Sequence, residues 1–178
     1  MKSEELLNKL ISLTEENREE AKSFKKLSTG ELNFKESPES WSILECIEHL
    51  VRYGNFYLPE IEIQLSKSKH PKDEIYKTGF FGNYFANSML PKEKVNKMKT
   101  FKSMNPIKSK VEVKVLDKFI QQQETMLKLL NKAKETDINK VKTAISITSL
   151  IRLRLGDTFK VVIFHNWRHL IQARKLVK

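Results

Sequence analysis

An all-α fold, a four-helix bundle with a long connection between the second and third helices, is what this sequence predicts. Three observations carry that prediction. The 178 residues include only five glycines and five prolines, so helix breakers are scarce. Four long stretches repeat apolar residues at helical spacing, as helices do when each buries one face. Pro71, Pro91, Pro106, Gly79 and Gly82 crowd into residues 70–110, which places the long connection there.

The first helix is expected from about Ser3 to Leu27, with Leu6, Leu7, Leu10, Leu13, Phe24 and Leu27 on its apolar stripe and Ser3 near its cap. Thr29-Gly30 and Ser37-Pro38-Glu39-Ser40 mark a connection, with a short helical turn around Glu31–Phe34. Ser40 is expected to cap the second helix, which turns Trp41, Ile43, Leu44, Ile47, Leu50, Phe56 and Ile61 inward and runs to about Ser66. Pro59 lacks an N–H and is expected to kink or interrupt it. Across residues 70–110 the pattern weakens. A structureless connection of that length is unusual, so the aromatics Phe80, Phe81, Tyr84 and Phe85 are expected to anchor it to the bundle, with a short helix near Asn83–Met89.

Helical spacing returns over Val113–Lys134. Lys142–Leu155 alternates in part and reads as a strand-like or short helical crossing. Asp157, after Gly156, is then expected to cap a last helix reaching about Val177.

Composition narrows the function. The chain, residues 1–178, fits one domain with a sizeable core. It has no apolar run long enough to span a membrane, and its start lacks the apolar stretch of a signal peptide. The lone Cys46 cannot form an internal disulfide, which agrees with a reducing compartment, so a cytoplasmic location is expected. The net charge of +11 invites a nucleic-acid role, because lysine and arginine neutralise phosphates. Yet the excess is mostly lysine, interleaved with glutamate and without a recognisable nucleic-acid motif. A solvated surface is the simpler reading, and no nucleic-acid partner is expected.

Two of the four histidines, His165 and His169, lie four residues apart on the last helix. An i, i+4 pair shares one helix face and can offer two imidazoles to one metal ion. Thr158, Val161, Val162, His165, His169, Gln172 and Leu176 form one stripe, while Ile163, Trp167 and Leu170 occupy another face. This helix should therefore be central, where imidazoles are costly unless their nitrogens find partners. His49, on the second helix beside Cys46 and Tyr53, is a candidate third ligand, since bundle helices pack about 8–10 Å apart. The plainer alternative is a set of hydrogen-bonded core histidines. Cys46 can approach such a site or act as a small buried hydrophobe, and His70 belongs to a surface loop. Gln172 and Glu45, with Glu48, are candidates to accept hydrogen bonds from ligand imidazoles.

Trp41-Ser42-Ile43-x-Glu45-x-Ile47-x-His49-Leu50, preceded by Leu27-Ser28 and Glu31-Leu32, resembles the entry to the second helix in the DinB/YfiT-like superfamily. Gly156-Asp157-Thr158 leading to His165-x-x-Arg168-His169-x-x-Gln172 resembles that family's second signature, and Lys97–Lys102 with Pro106 is similar to its approach to the third helix. The resemblance covers nearly the whole chain. It implies a four-helix bundle in which His49, His165 and His169 hold a divalent metal, commonly nickel or zinc, with open positions for water or substrate. It further implies a homodimer acting on a small molecule, as in relatives that transfer or isomerise with low-molecular-weight thiols such as bacillithiol, or that hydrolyse. A divalent ion acidifies water or a thiol that binds it, so either nucleophile is available without a protein one. The competing expectation is a non-catalytic metal-binding or stress-response bundle.

Overall fold

Ser42 shows how the longest helix begins. Its side chain accepts from the Glu45 backbone N–H, and the Glu45 carboxylate accepts from the Ser42 backbone N–H, a reciprocal pair that starts α3 (Ile43–Lys67). The computed structural model describes residues 1–91, 100–107 and 109–177. Besides α3 it contains α1 (Ser3–Phe24), a short α2 (Thr29–Asn33), α4 (Phe80–Met89), a 3-10 turn at Lys102–Met104, α5 (Val115–Ala133) and α6 (Leu155–Arg174). Between α5 and α6 lies one antiparallel hairpin, β1 (Lys142–Ile145) with β2 (Thr148–Arg154). Apart from this hairpin the fold is all-α among the described residues. Among the described residues no helix is long and apolar enough to cross a membrane.

Helices α1, α5, α3 and α6 form a ring in that order, each packed on its two neighbours. Lys25, just past the end of α1, pairs at 2.6 Å with Asp117 in the first turn of α5, so these two helices run antiparallel. Gln122 Nε2 donates to Val51 O at 3.1 Å, and Lys132 Nζ donates to Ser66 Oγ at 2.9 Å, which makes α3 and α5 parallel. A parallel neighbour cannot be reached by a tight turn. The 25-residue α3 is about 38 Å long at 1.5 Å per residue, and the chain must retrace that length before α5 begins. The segment from Ser68 to Lys114 therefore follows from helix direction.

Among the described residues the core has two large apolar clusters and a small third one, Ala86, Ile145, Leu153 and Val161, between α4, the hairpin and α6. One large cluster joins Leu6, Leu7, Leu10, Leu58, Ile61, Leu130, Phe159 and Ile163; the other joins Phe24, Ile43, Leu44, Ile47, Leu50, Leu116, Phe119 and Leu170. Between them runs a buried layer of polar side chains: Thr14 and Asn17 on α1, His49 on α3, Gln123 on α5, and His165 and Asn166 on α6. Asn17 donates to Ile163 O at 3.4 Å and Asn166 donates to Gln123 Oε1 at 3.3 Å. Buried amides without such partners would be costly.

Several local expectations are corrected. Lys2 occupies the cap position of α1, and the buried Ser3 hydroxyl finds no partner among the described residues. Ser42 caps α3, while Ser40 bonds back to Ser37 instead. Pro59 lies inside an unbroken α3: its missing N–H removes one bond from a helix whose inward face is held by packing along its length. Arg154 caps α6, and Asp157 sits buried inside its first turn. In α4 only one of the four aromatics expected to anchor the connection does so: Phe85 is partly buried against Ala86, Ile145, Leu153 and Val161. Phe80, Phe81 and Tyr84 are exposed, and the small residues Gly82 and Ala86 face the bundle, where α4 lies close on α6. The short helix begins at Phe80, and residues 92–99, including the start of Lys97–Lys102, lie outside the described part.

Candidate metal centre

The site is built where α3 and α6 pass. The Ser42–Glu45 cap fixes the start of α3, placing His49 two turns in, on the face turned toward α6. On α6, His165 and His169 project one above the other toward the same point. Among the described residues, His49, His165 and His169 each offer a ring nitrogen, and these nitrogens lie within 4.8 Å of one another. His49 and His165 are buried and His169 is half-buried.

Hydrogen bonds select the tautomers. His49 Nδ1 lies 2.7 Å from the carbonyl oxygen of Met104. A carbonyl only accepts, so Nδ1 carries the proton and Nε2 presents its lone pair. His169 Nδ1 lies 2.9 Å from Gln172 Oε1, which selects the same tautomer. The Nε2 atoms of His49 and His165 are 3.1 Å apart. Two nitrogens each about 2.0–2.1 Å from one ion are separated by about 3–3.5 Å, so the His49–His165 pair has the spacing of two ligands to one divalent cation. Imidazole nitrogens suit several divalent transition metals, zinc, copper, iron and nickel among them.

The electrostatics keep the imidazoles neutral. Burial pushes the His49 pKa down to about 4, with a smaller contribution from the Arg52 charge and against the Met104 hydrogen bond. Burial, then the neighbouring His49, takes His169 down to about 3 despite its bond to Gln172. His165 is held well below its ordinary value by burial and by the other two rings. Neutral imidazole is the form that ligates metal. Aromatic rings wall the cluster: Trp41 stands 4.7 Å from His49 and 5.7 Å from His169, while Tyr53 meets His49 at 4.9 Å and His165 at 4.7 Å between ring centroids.

Other sequence candidates lie elsewhere or have other work. Glu45 serves the helix cap and an ion pair with Lys35 at 2.7 Å, so its oxygens do not orient an imidazole. Glu48 pairs with Arg52 at 2.8 Å. Cys46 is fully buried among apolar residues, and burial raises its thiol pKa, so it behaves as a hydrophobe. His70 is exposed on the loop after α3. The Met104 carbonyl had no sequence signal, because every residue carries a carbonyl and only the path of the connection brings this one to His49. Two surface clefts, one lined by Glu16, Asn17, Trp167 and Ile171 and one by Lys67, His70, Lys142 and Arg152, include none of the three clustered histidines.

Comparison with known proteins agrees with this geometry. The family model of the DinB superfamily matches residues 13–173, nearly the whole chain. No curated protein and no solved structure matches it. The chain belongs to the DinB superfamily.

Proposed function

We propose that this member of the DinB superfamily is a metal-dependent enzyme in which His49, His165 and His169 hold one divalent ion, nickel or zinc. The reading rests on one observation above the rest: three neutral imidazoles, two with their Nδ1 protons already donated, converge within 4.8 Å. When bound, such an ion supplies Lewis acidity that lowers the pKa of a water or low-molecular-weight thiol. The protein's own share is to present the Nε2 lone pairs, to fix ring orientation through Met104 and Gln172, and to exclude water with Trp41 and Tyr53. The substrate class is a small electrophilic molecule, and the reaction is S-transfer or hydrolysis. Family membership supports a homodimer, and the free, buried Cys46 supports a cytoplasmic protein.

The test is metal analysis of protein purified without chelator or affinity tag, followed by thermal melts with added Ni²⁺ or Zn²⁺. About one equivalent of metal, or a rise in melting temperature on adding it, is expected. Failure of both removes the metal reading. Loaded protein is then assayed against thiol-conjugation and hydrolysis panels, where turnover supports the enzyme and stoichiometric metal without turnover favours a binding module.

A further inference from the structure

The imidazole of His49 is oriented by a backbone carbonyl from the connection between α3 and α5, and a backbone carbonyl is only as well placed as the loop that carries it. Arg52 pins that loop. Arg52, one turn after His49 on α3, donates from Nη1 to Asn105 O at 2.9 Å and to Ser103 O at 3.3 Å, and from Nη2 to Ser109 Oγ at 3.0 Å. Its Nε donates to Glu48 Oε1 at 2.8 Å, which holds the guanidinium in position from the preceding turn. The two carbonyls gripped by Arg52 flank Met104, whose own carbonyl accepts from His49 Nδ1 at 2.7 Å. Asn105 tightens the same turn, accepting from the Ile107 N–H at 3.1 Å through its side chain. The fork of Arg52 thus spans one loop at three points, which the single ammonium of a lysine cannot do.

We propose that Arg52 is a positioning residue for the metal centre: by clamping Ser103, Asn105 and Ser109 it holds the Met104 carbonyl against His49 and fixes the tautomer that presents Nε2. The inference rests on the metal reading for its consequence, and on the hydrogen bonds alone for its mechanism. It assigns a role to an arginine that touches none of the three Nε2 atoms, and it makes the crossover connection a working part of the site.

The experiment compares wild type with Arg52→Gln, Arg52→Lys and, as a control, Leu10→Ala, which opens the distant apolar cluster without touching the loop. The first readout is ¹⁵N-detected histidine NMR of the metal-free protein. Wild type should show His49 protonated at Nδ1, and both Arg52 variants should show it exchanging between tautomers. The second readout is Zn²⁺ affinity by chelator competition, expected to fall about ten- to a hundred-fold in both Arg52 variants, the range typical of lost ligand-orienting partners. Leu10→Ala should lower the melting temperature while leaving affinity within about threefold. An unchanged His49 tautomer in Arg52→Gln overturns the proposal, and so does an affinity loss that Leu10→Ala reproduces. Wild type that takes up no Zn²⁺ defeats the metal reading instead, and the tautomer measurement still decides the role of Arg52.

Discussion

Two buried polar clusters sit on α6 about two turns apart, and they are opposites. Near its start, Asp157 is fully buried, and its carboxylate accepts from the Tyr76 hydroxyl, from Thr78 Oγ1 at 2.7 Å and from the Gly79 N–H at 2.9 Å. Gly82 lies so close that a side chain there would collide with this carboxylate. Every strong demand of the charge is met, and the result is a tie between α6 and the segment entering α4. Farther along, His165 and His169 meet His49 with ring nitrogens facing one another. There Met104 and Gln172 accept from the outer nitrogens of His49 and His169, and on the inner side His49 Nε2 and His165 Nε2 face each other at 3.1 Å. A buried polar group satisfied on all sides builds structure. A set anchored on its outer side, with three ring-nitrogen donors crowded on the inner side, is arranged for a ligand.

Replacing one residue in each cluster separates these roles. His165→Ala should abolish metal binding while leaving helical circular dichroism intact, since the ring it removes contributes a ligand and little satisfied polarity. Calorimetric titration with Zn²⁺ checks it; retained tight binding would place the metal elsewhere. Asp157→Ala should do the reverse. It strips three donors of their acceptor, costing about 3 kcal/mol in urea unfolding, with metal stoichiometry per folded molecule unchanged.

Acid should also discriminate. An unfolded histidine titrates near 6.5, whereas folded His49 and His169 titrate near 4 and 3. Between these values the unfolded chain binds protons that the folded metal-free chain refuses. The stability these groups contribute is present above about pH 6.5 and is lost as pH falls through 4 toward 3. Urea midpoints of metal-free wild type should fall across that window, and those of His165→Ala should fall less, because one of the three depressed groups is gone. Equal slopes would show that the buried imidazoles do not govern acid sensitivity. The smallest effect expected is that of Gln172→Ala, which removes the acceptor for His169 Nδ1. Zn²⁺ affinity should drop about tenfold, with no change in unfolding free energy from urea titration larger than about 0.5 kcal/mol for an exposed residue.

The sequence carried a good part of this. The four long helices were legible because their apolar spacing is a local property, and His165 with His169 was legible because four residues make one turn. His49 could be named from its place behind Trp41-Ser42. The capping box Ser42-x-x-Glu45 was legible too, yet Ser40 drew attention as the more conspicuous loop serine beside Pro38. Glu45 then looked like a partner for histidine when its carboxylate was committed to the cap and to Lys35. The aromatics of α4 misled for a different reason. Hydrophobicity argues that Phe80, Phe81 and Tyr84 go inward, but close approach of α4 to α6 favours Gly82 and Ala86 at the contact and leaves the large rings outside.

By itself, then, the chain's sequence determined the four long helices, which histidines share a face, and that unpaired imidazoles on a central helix need an explanation. Those properties depend on neighbours within a turn or two. The tertiary structure alone decided that α3 and α5 run parallel, that the connection this requires passes over His49, and that Met104, held by Arg52, lends it a carbonyl. It also decided that Asp157 finds its donors among residues 76–79. Backbone carbonyls and N–H groups are the same at every position, so which of them meets a given side chain is settled only when distant segments pack.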